Sequence, residues 1–190
     1  GGLKAWEKAD YKVEKGNEEA TAAKDFGAEV PGRPESLIST SADVLAAKEK
    51  NPDLVLASIR SWKEFTGKTS GYDYIENAGE PEGAVYAKSS KTSTDVAQLM
   101  NKDGTVKEPT KIFDAWEKWG ITPDKEVAFY CGTGWRAATA FFIAKQEGFK
   151  DVRLFDGGWY DWDKAHQKDP SKYPVQVGDP RDKDKVKILN

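Results

Sequence analysis

One stretch constrains this chain more than any other: an apolar run that halts at a cysteine, turns through two glycines and enters an alanine-rich segment. It reads Val127-Ala128-Phe129-Tyr130-Cys131-Gly132-Thr133-Gly134-Trp135-Arg136, then Ala137-Ala138-Thr139-Ala140-Phe141-Phe142-Ile143-Ala144. Val, Phe and Tyr in the run predict a buried strand, and the alanines after it predict the start of a helix. The chain's only cysteine therefore falls where a strand becomes a helix, in a loop free to curl at Gly132 and Gly134. Backbone N–H groups in such a turn face inward, and the positive end of the helix dipole points at the same place. Both favour an anion, and the first they favour is the thiolate of Cys131.

A lone cysteine in a soluble chain is most often a small buried hydrophobe. The neighbours of Cys131 argue for an active thiol instead. Two glycines around Thr133 are costly in a plain strand-to-helix joint unless the backbone adopts unusual angles. Arg136 closes the loop with a cation where a bound anion needs one.

These residues resemble a known family. Cys131-x-x-x-x-Arg136 between a strand and a helix looks like the active-site loop of rhodanese-type sulfurtransferases. Leu54-Val55-Leu56-Ala57-Ser58-Ile59-Arg60-Ser61-x-x-Glu64-Phe65 resembles that family's early strand and the arginine after it. Gly83-Ala84-Val85 resembles the entry to its next strand, and Asp156-Gly157-Gly158-x-x-x-Trp162 the turn and helix after its last core strand. The resemblance implies a persulfide on Cys131, held by the loop Gly132, Thr133, Gly134, Trp135 and Arg136, with Arg60 as a further substrate-binding residue. It implies no cofactor and no metal. The chain has no Cys/His cluster with metal-ligand spacing.

Sulfur would pass from a small donor, thiosulfate or 3-mercaptopyruvate, to a thiol or cyanide acceptor. Cys131-Gly132-Thr133-Gly134 resembles the mercaptopyruvate-using branch, and no basic residue follows the cysteine directly, as thiosulfate users tend to have. Trp135-Arg136 fits neither branch and resembles an atypical bacterial multi-domain group. Ser58 stands where the family usually has Asp, and Glu64 where two-domain members can place a second substrate arginine. A persulfide relay loaded by a partner such as a cysteine desulfurase is the alternative reading. Cysteine phosphatases are a weaker rival: their loop has five residues between Cys and Arg, and this one has four. No His precedes Cys131, where phosphatases of that loop type carry one.

At 190 residues the chain supports one domain with extra segments. Charged residues make up 32% but the net charge is only −3, which argues against nucleic acid as partner. No run of about 18 apolar residues spans a membrane. One cysteine allows no internal disulfide, so the compartment, cytoplasm or periplasm and cell envelope, stays open.

The opening repeats the end. Gly1-Gly2-Leu3-Lys4-Ala5-Trp6-Glu7-Lys8-Ala9 matches Gly157-Gly158-Trp159-Tyr160-Asp161-Trp162-Asp163-Lys164-Ala165 at five of nine positions, and Tyr11-Lys12-Val13-Glu14-Lys15-Gly16 parallels Tyr173-Pro174-Val175-Gln176-Val177-Gly178. With Gly1 in place of an initiator Met, residues 1–16 read as the tail of a preceding rhodanese unit. Residues 17–34 are then a linker, 35–178 the rhodanese domain, and 179–190 a polar C-terminal tail. On this reading the chain is the C-terminal unit of a tandem protein, with upstream rhodanese domains as partners.

Further along, 17–24 allow a helical turn, Leu37-Ile38 a brief strand and Thr40-Ser41-Ala42-Asp43 a helix start that Asn51-Pro52 stops. Residues 61–65 predict a helical turn, 95–100 a short helix, and Pro109 a helix with Ile112, Phe113, Trp116 and Trp119 on one face. The long irregular stretch 66–83 is placed beside the active-site mouth, with Tyr72 and Tyr74 as rim candidates or, more simply, surface packing. His166, the only histidine, reads as a surface imidazole. Strands alternating with helices predict an α/β fold: an open, mostly parallel sheet with helices on both faces, and a ligand at the strands' carboxyl ends.

Overall fold

The computed structural model describes residues 2–19, 21–22 and 25–190. Its elements are α1 (Gly2–Lys8), β1 (Leu37–Ile38), α2 (Ser41–Lys50), β2 (Val55–Ser58), α3 (Trp62–Phe65), β3 (Glu80–Pro81) and β4 (Val85–Tyr86). Then come α4 (Pro109–Glu117), β5 (Glu126–Tyr130), α5 (Trp135–Gln146), β6 (Asp151–Phe155), α6 (Gly158–Lys168), β7 (Val175–Val177) and β8 (Lys187–Leu189). Five strands pair in the order β1-β6-β5-β2-β4, every pairing parallel. A small antiparallel sheet, β3-β7-β8, sits apart from it.

The central strand explains the layering. Side chains along a strand alternate between faces. Val127, Phe129 and Cys131 enter one core with Ile112 and Trp116 of α4 and Ala137, Ala140 and Ala144 of α5. Ala128 and Tyr130 enter the opposite core with Val44 of α2 and Trp159 and Trp162 of α6. Both faces are covered, which is why β5 is apolar without interruption. The fold is the α/β, helix-flanked parallel sheet that the strand and helix pattern predicts.

Local capping fixes the helix starts. Thr40 Oγ1 accepts from the Asp43 N–H and the Asp43 carboxylate accepts from the Thr40 N–H, satisfying two donors at the head of α2. Ser61 and Glu64 make the same reciprocal pair at α3.

Elsewhere the sequence reading is revised. Residues 95–100 form turns, not a helix. The Asp95 carboxylate captures the N–H groups of Lys91, Thr92 and Ala97, so the backbone donors are spent on a side chain. The C-terminal segment, expected to be a polar tail, ends in a strand: β8 pairs antiparallel with β7 and covers its open edge. The helical turn expected over 17–24 lies partly outside the described residues, and the described ones carry no helix. Helix α1 has no buried residue.

Candidate active site

Three strand ends meet at the cysteine. Tyr130 ends β5 beside Ser58, the end of β2, and Phe129 pairs with Leu154 of β6. In a parallel sheet these ends share one edge, where the chain must leave each strand and return through a helix.

The loop from Cys131 to Gly134 is shaped by what takes its carbonyls. The Cys131 carbonyl accepts from the Trp159 N–H at 2.8 Å and the Gly132 carbonyl from the Tyr160 N–H at 3.0 Å, both from the first turn of α6. That approach requires a glycine at 158. Its φ is +57°, and a Cβ there would sit 2.6 Å from the Cys131 oxygen and 2.7 Å from the Gly132 oxygen. Gly134, with φ +81°, is the N-cap of α5 and gives it no side-chain cap. With the carbonyls turned to α6, the backbone N–H groups of residues 132–137 find no acceptor among the described residues. Free N–H groups at the positive end of a twelve-residue helix form a cradle for an anion.

Cys131 is a free thiol and fully buried. Its cover on the loop side is Tyr72. A Cβ built on Gly132 would meet Tyr72 Cε2 at 2.2 Å, so the phenol ring lies directly against the loop. The Tyr72 hydroxyl oxygen accepts from Arg136 Nη2 at 2.8 Å. Burial, and then the negative charge of Cys131, push the Tyr72 phenol up against the opposing pull of Arg136. The phenol stays protonated, and because its oxygen accepts from Arg136 its proton is free to face an anion.

Arg136 is 8% exposed. Nη1 and Nη2 donate to Glu64 at 3.2 and 2.9 Å, and Nη1 also donates to the Thr92 carbonyl at 3.0 Å. Nε is buried without a partner among the described residues. Burial works against the charge of Arg136, but the Glu64 carboxylate outweighs it and holds the guanidinium above its ordinary value. Burial likewise works against a charged Glu64, yet hydrogen bonding from Arg136 and the charges of Arg60 and Arg136 pull its carboxyl below its usual range.

The structure brings Cys131, Gly132, Thr133, Gly134 and Arg136 together in the loop, with Thr133 half-buried between the glycines. Trp135 belongs to the loop in sequence but its side chain is 87% exposed. Arg60 does not take the substrate-binding place expected of it. It is wholly buried, and its nitrogens go to Glu64, Glu80 and the carbonyls of Gly79 and Ser70. Four of its five N–H donors are spent inside the structure, so Arg60 pins the 66–83 stretch against the sheet and reaches the loop through Glu64. His166 meets the Tyr173 carbonyl through Nδ1.

Two groups carry more here than the sequence alone suggests. Glu64, whose Ser61-x-x-Glu64 spacing marks a helix start, also joins the two arginines. Tyr72 is the ceiling of the loop, while Tyr74 is 57% exposed and packs on Tyr72 at 5.3 Å. A cavity of about 720 Å³ opens beside them, lined by Glu64, Tyr72, Ser90 and Thr92 among others.

The rhodanese-like domain family model matches residues 41–165. Thiosulfate sulfurtransferase YnjE of Escherichia coli (strain K12) is 40% identical over 181 residues, 94% of this chain and 40% of that protein. Sulfur carrier protein TtuD of Thermus thermophilus is 33% identical over 140 residues, 70% of this chain and 47% of that protein. Among solved structures, a tyrosine-to-phenylalanine variant of EanB, with a persulfide on its cysteine and ergothioneine bound, superimposes with a TM-score of 0.83 at 35% identity. It covers 94% of this chain and 41% of that one. The altered tyrosine there precedes the persulfide cysteine by the same number of positions as Tyr72 precedes Cys131. The chain thus spans less than half the length of these relatives.

Proposed function

This chain belongs to the rhodanese-like domain family, and we propose that it transfers a sulfane sulfur from a small donor to a thiophilic acceptor through a persulfide on Cys131. One observation carries this reading: the sole thiol stands at the head of α5 among backbone N–H groups 132–137 that have no acceptor among the described residues. The sulfurtransferase and sulfur-carrier relatives support a role in sulfur transfer.

The chemistry follows from the loop. The Cys131 thiolate attacks the outer sulfur of thiosulfate; an S–S bond forms to Cys131 as the bond to the sulfonate breaks, and sulfite leaves with the electron pair. From 3-mercaptopyruvate the C–S bond breaks instead, and pyruvate leaves after taking up a proton. In either case the terminal sulfur of the persulfide is anionic. The free amides and the Tyr72 hydroxyl are the donors placed to hold it, and the partnerless Nε of Arg136 adds a cation donor beside the loop. A thiol or cyanide then takes that sulfur and returns Cys131 as thiolate.

The test is intact mass after incubation with thiosulfate or mercaptopyruvate, for wild type and Cys131→Ser. A gain of one sulfur, removed by cyanide or dithiothreitol and absent from the variant, is expected. No gain with either donor, but loading by a cysteine desulfurase, would favour the relay reading. No gain from any source would sink both.

The opening segment supports a tandem arrangement. The Trp6 indole N–H donates to the Lys12 carbonyl at 3.0 Å and its ring meets Tyr11 at 4.6 Å. Trp162 donates to the Pro174 carbonyl at 3.2 Å and meets Tyr173 at 5.6 Å. The sequence match is therefore matched by one recurring local structure. Trp162 is buried against its domain, whereas Leu3, Trp6, Tyr11 and Val13 are exposed, as the closing segment of a separate rhodanese unit would be without that unit. Detection of a folded rhodanese unit immediately before Gly1 in the native protein would settle it; an unrelated sequence there would refute it.

A further inference from the structure

Beside the active-site cavity the molecule carries a basic groove that the sulfur chemistry does not use. Two further cavities, of about 490 and 390 Å³, continue from the one at Tyr72. They are contiguous: Lys91 lines the first and second, Lys88 the second and third, and Gln98 all three. Lys63, Lys88, Lys91, Lys107, Lys111 and Lys118 line this path. None of the six forms an ion pair among the described residues.

No carboxylate lines either outer cavity. The first cavity holds two acids, Asp73 and Glu64, and Glu64 is already paired with Arg60 and Arg136. In a chain of net charge −3, six unpaired lysines along one path are a segregation of charge, not a reflection of composition. Clefts lined by one sign of charge concentrate counter-charge and steer partners into them.

We propose that this groove docks an acidic segment of a protein that exchanges sulfur with Cys131, leading it past Tyr72 to the loop. The partner's role rests on the persulfide reading above; the binding itself does not. Several features favour a short acidic peptide segment over a nucleic acid. The net charge of the whole chain, −3, disfavours an extended polyanion that runs beyond the groove more than a short segment whose charges fall within it. Its aromatic surface is also occupied: the Arg181 guanidinium stacks on Trp119 at 4.2 Å, so that ring is not open to a base. Lysines on flexible stems suit carboxylates spaced along a chain better than one fixed bidentate anion.

The experiment is fluorescence anisotropy with the whole chain and a short labelled Glu-rich peptide, its Gln-for-Glu counterpart and an oligothymidine. The Glu peptide is expected to bind at least about tenfold tighter than the Gln peptide at low salt, with the preference falling as salt rises. Lys88→Glu/Lys111→Glu abolishes the preference. Lys125→Glu/Lys145→Glu, the same charge change at exposed lysines outside the groove, keeps it. Equal binding of the two peptides, retention of the preference in the groove variant, or tighter binding of oligothymidine overturns the proposal. Transfer from loaded Cys131 to Cys-terminated versions of the peptides, with dithiothreitol in parallel, then reads whether docking feeds the thiol. A protein that binds the peptide but never loads sulfur defeats the persulfide reading and leaves the groove standing.

Discussion

Glu64→Gln is the sharpest perturbation the site offers, because one carboxylate serves two arginines and a helix cap. Oε1 accepts from Arg136 Nη2 at 2.9 Å and Arg60 Nε at 3.4 Å; Oε2 accepts from Arg136 Nη1 at 3.2 Å and from the Ser61 N–H and hydroxyl at 2.9 and 2.6 Å. Both oxygens face donors. A glutamine must turn its NH₂ toward one set or the other, so either orientation sets donor against donor. Arg60 keeps Glu80, at 3.1 Å, but Arg136 loses its only carboxylate among the described residues while 8% exposed. Removing one partner of a buried ion pair costs about 3–5 kcal/mol. For a chain of this size each kcal/mol moves Tm by roughly 2–4 °C, so a fall of about 6–20 °C is expected at pH 7.

The pH dependence has a definite sign. The folded Glu64 carboxyl lies below its ordinary value, so it binds its proton less readily in the native state than in the unfolded chain. Its contribution is fully present above the unfolded pKa of about 4.3 and is lost as pH falls through the folded value. Denaturant titrations of wild type and Glu64→Gln should therefore show a gap that is constant near neutrality and closes below about pH 4. A Tm within about 2 °C of wild type at pH 7, or a gap that widens in acid, would refute the claim that Glu64 works as an ionised joint.

Other changes test the loop directly. Tyr72→Ala removes the cover of a fully buried thiol, and alkylation of Cys131 should speed up severalfold; an unchanged rate would mean that Tyr72 is not the gate. Gly132→Ala drives a Cβ into the Tyr72 ring and should slow persulfide loading, and the double variant with Tyr72→Ala should recover part of it. Strict additivity of the two changes would show that the clash is not the cause. Gly158→Ala sets a Cβ against two loop carbonyls at a positive φ, and should cost more than about 2 kcal/mol by denaturant melt together with loss of loading. Trp135→Ala, at a side chain 87% exposed, should leave Tm within a degree or two, since surface changes usually lie within about 0.5 kcal/mol.

What the sequence disclosed is what short-range chemistry dictates. The run Val127–Tyr130 is apolar on both faces because both faces are covered, and Cys131-Gly132-Thr133-Gly134 can only be a turn, so strand, loop and helix were legible without a partner in view. The helix starts at Thr40 and Ser61 were written in hydroxyl-carboxylate pairs three residues apart. Residues whose roles depend on distant partners were not legible in this way. Arg60 follows a strand at the carboxyl edge of the sheet, where a cation ordinarily meets a ligand; only the fold reveals Glu80 on the far side of an irregular loop, 3.1 Å away. Burial with two carboxylates and two carbonyls turns a substrate arginine into a fastener. The same Glu64 carboxylate holds Arg136 at the loop, and it stands where two-domain members of the family can place a second substrate arginine. The acid at position 64 thus explains why Arg60 is spent inside the structure and why Arg136 stands ready beside the thiol: one negative charge fixes one cation and orients the other. A variant that supplies the missing arginine, Glu64→Arg, would set a third buried guanidinium against Arg60 and Arg136 and leave Arg136 with no carboxylate among the described residues, and should fail to fold rather than gain a substrate contact. Its recovery as a soluble, cooperative and more active enzyme would overturn this account of the site.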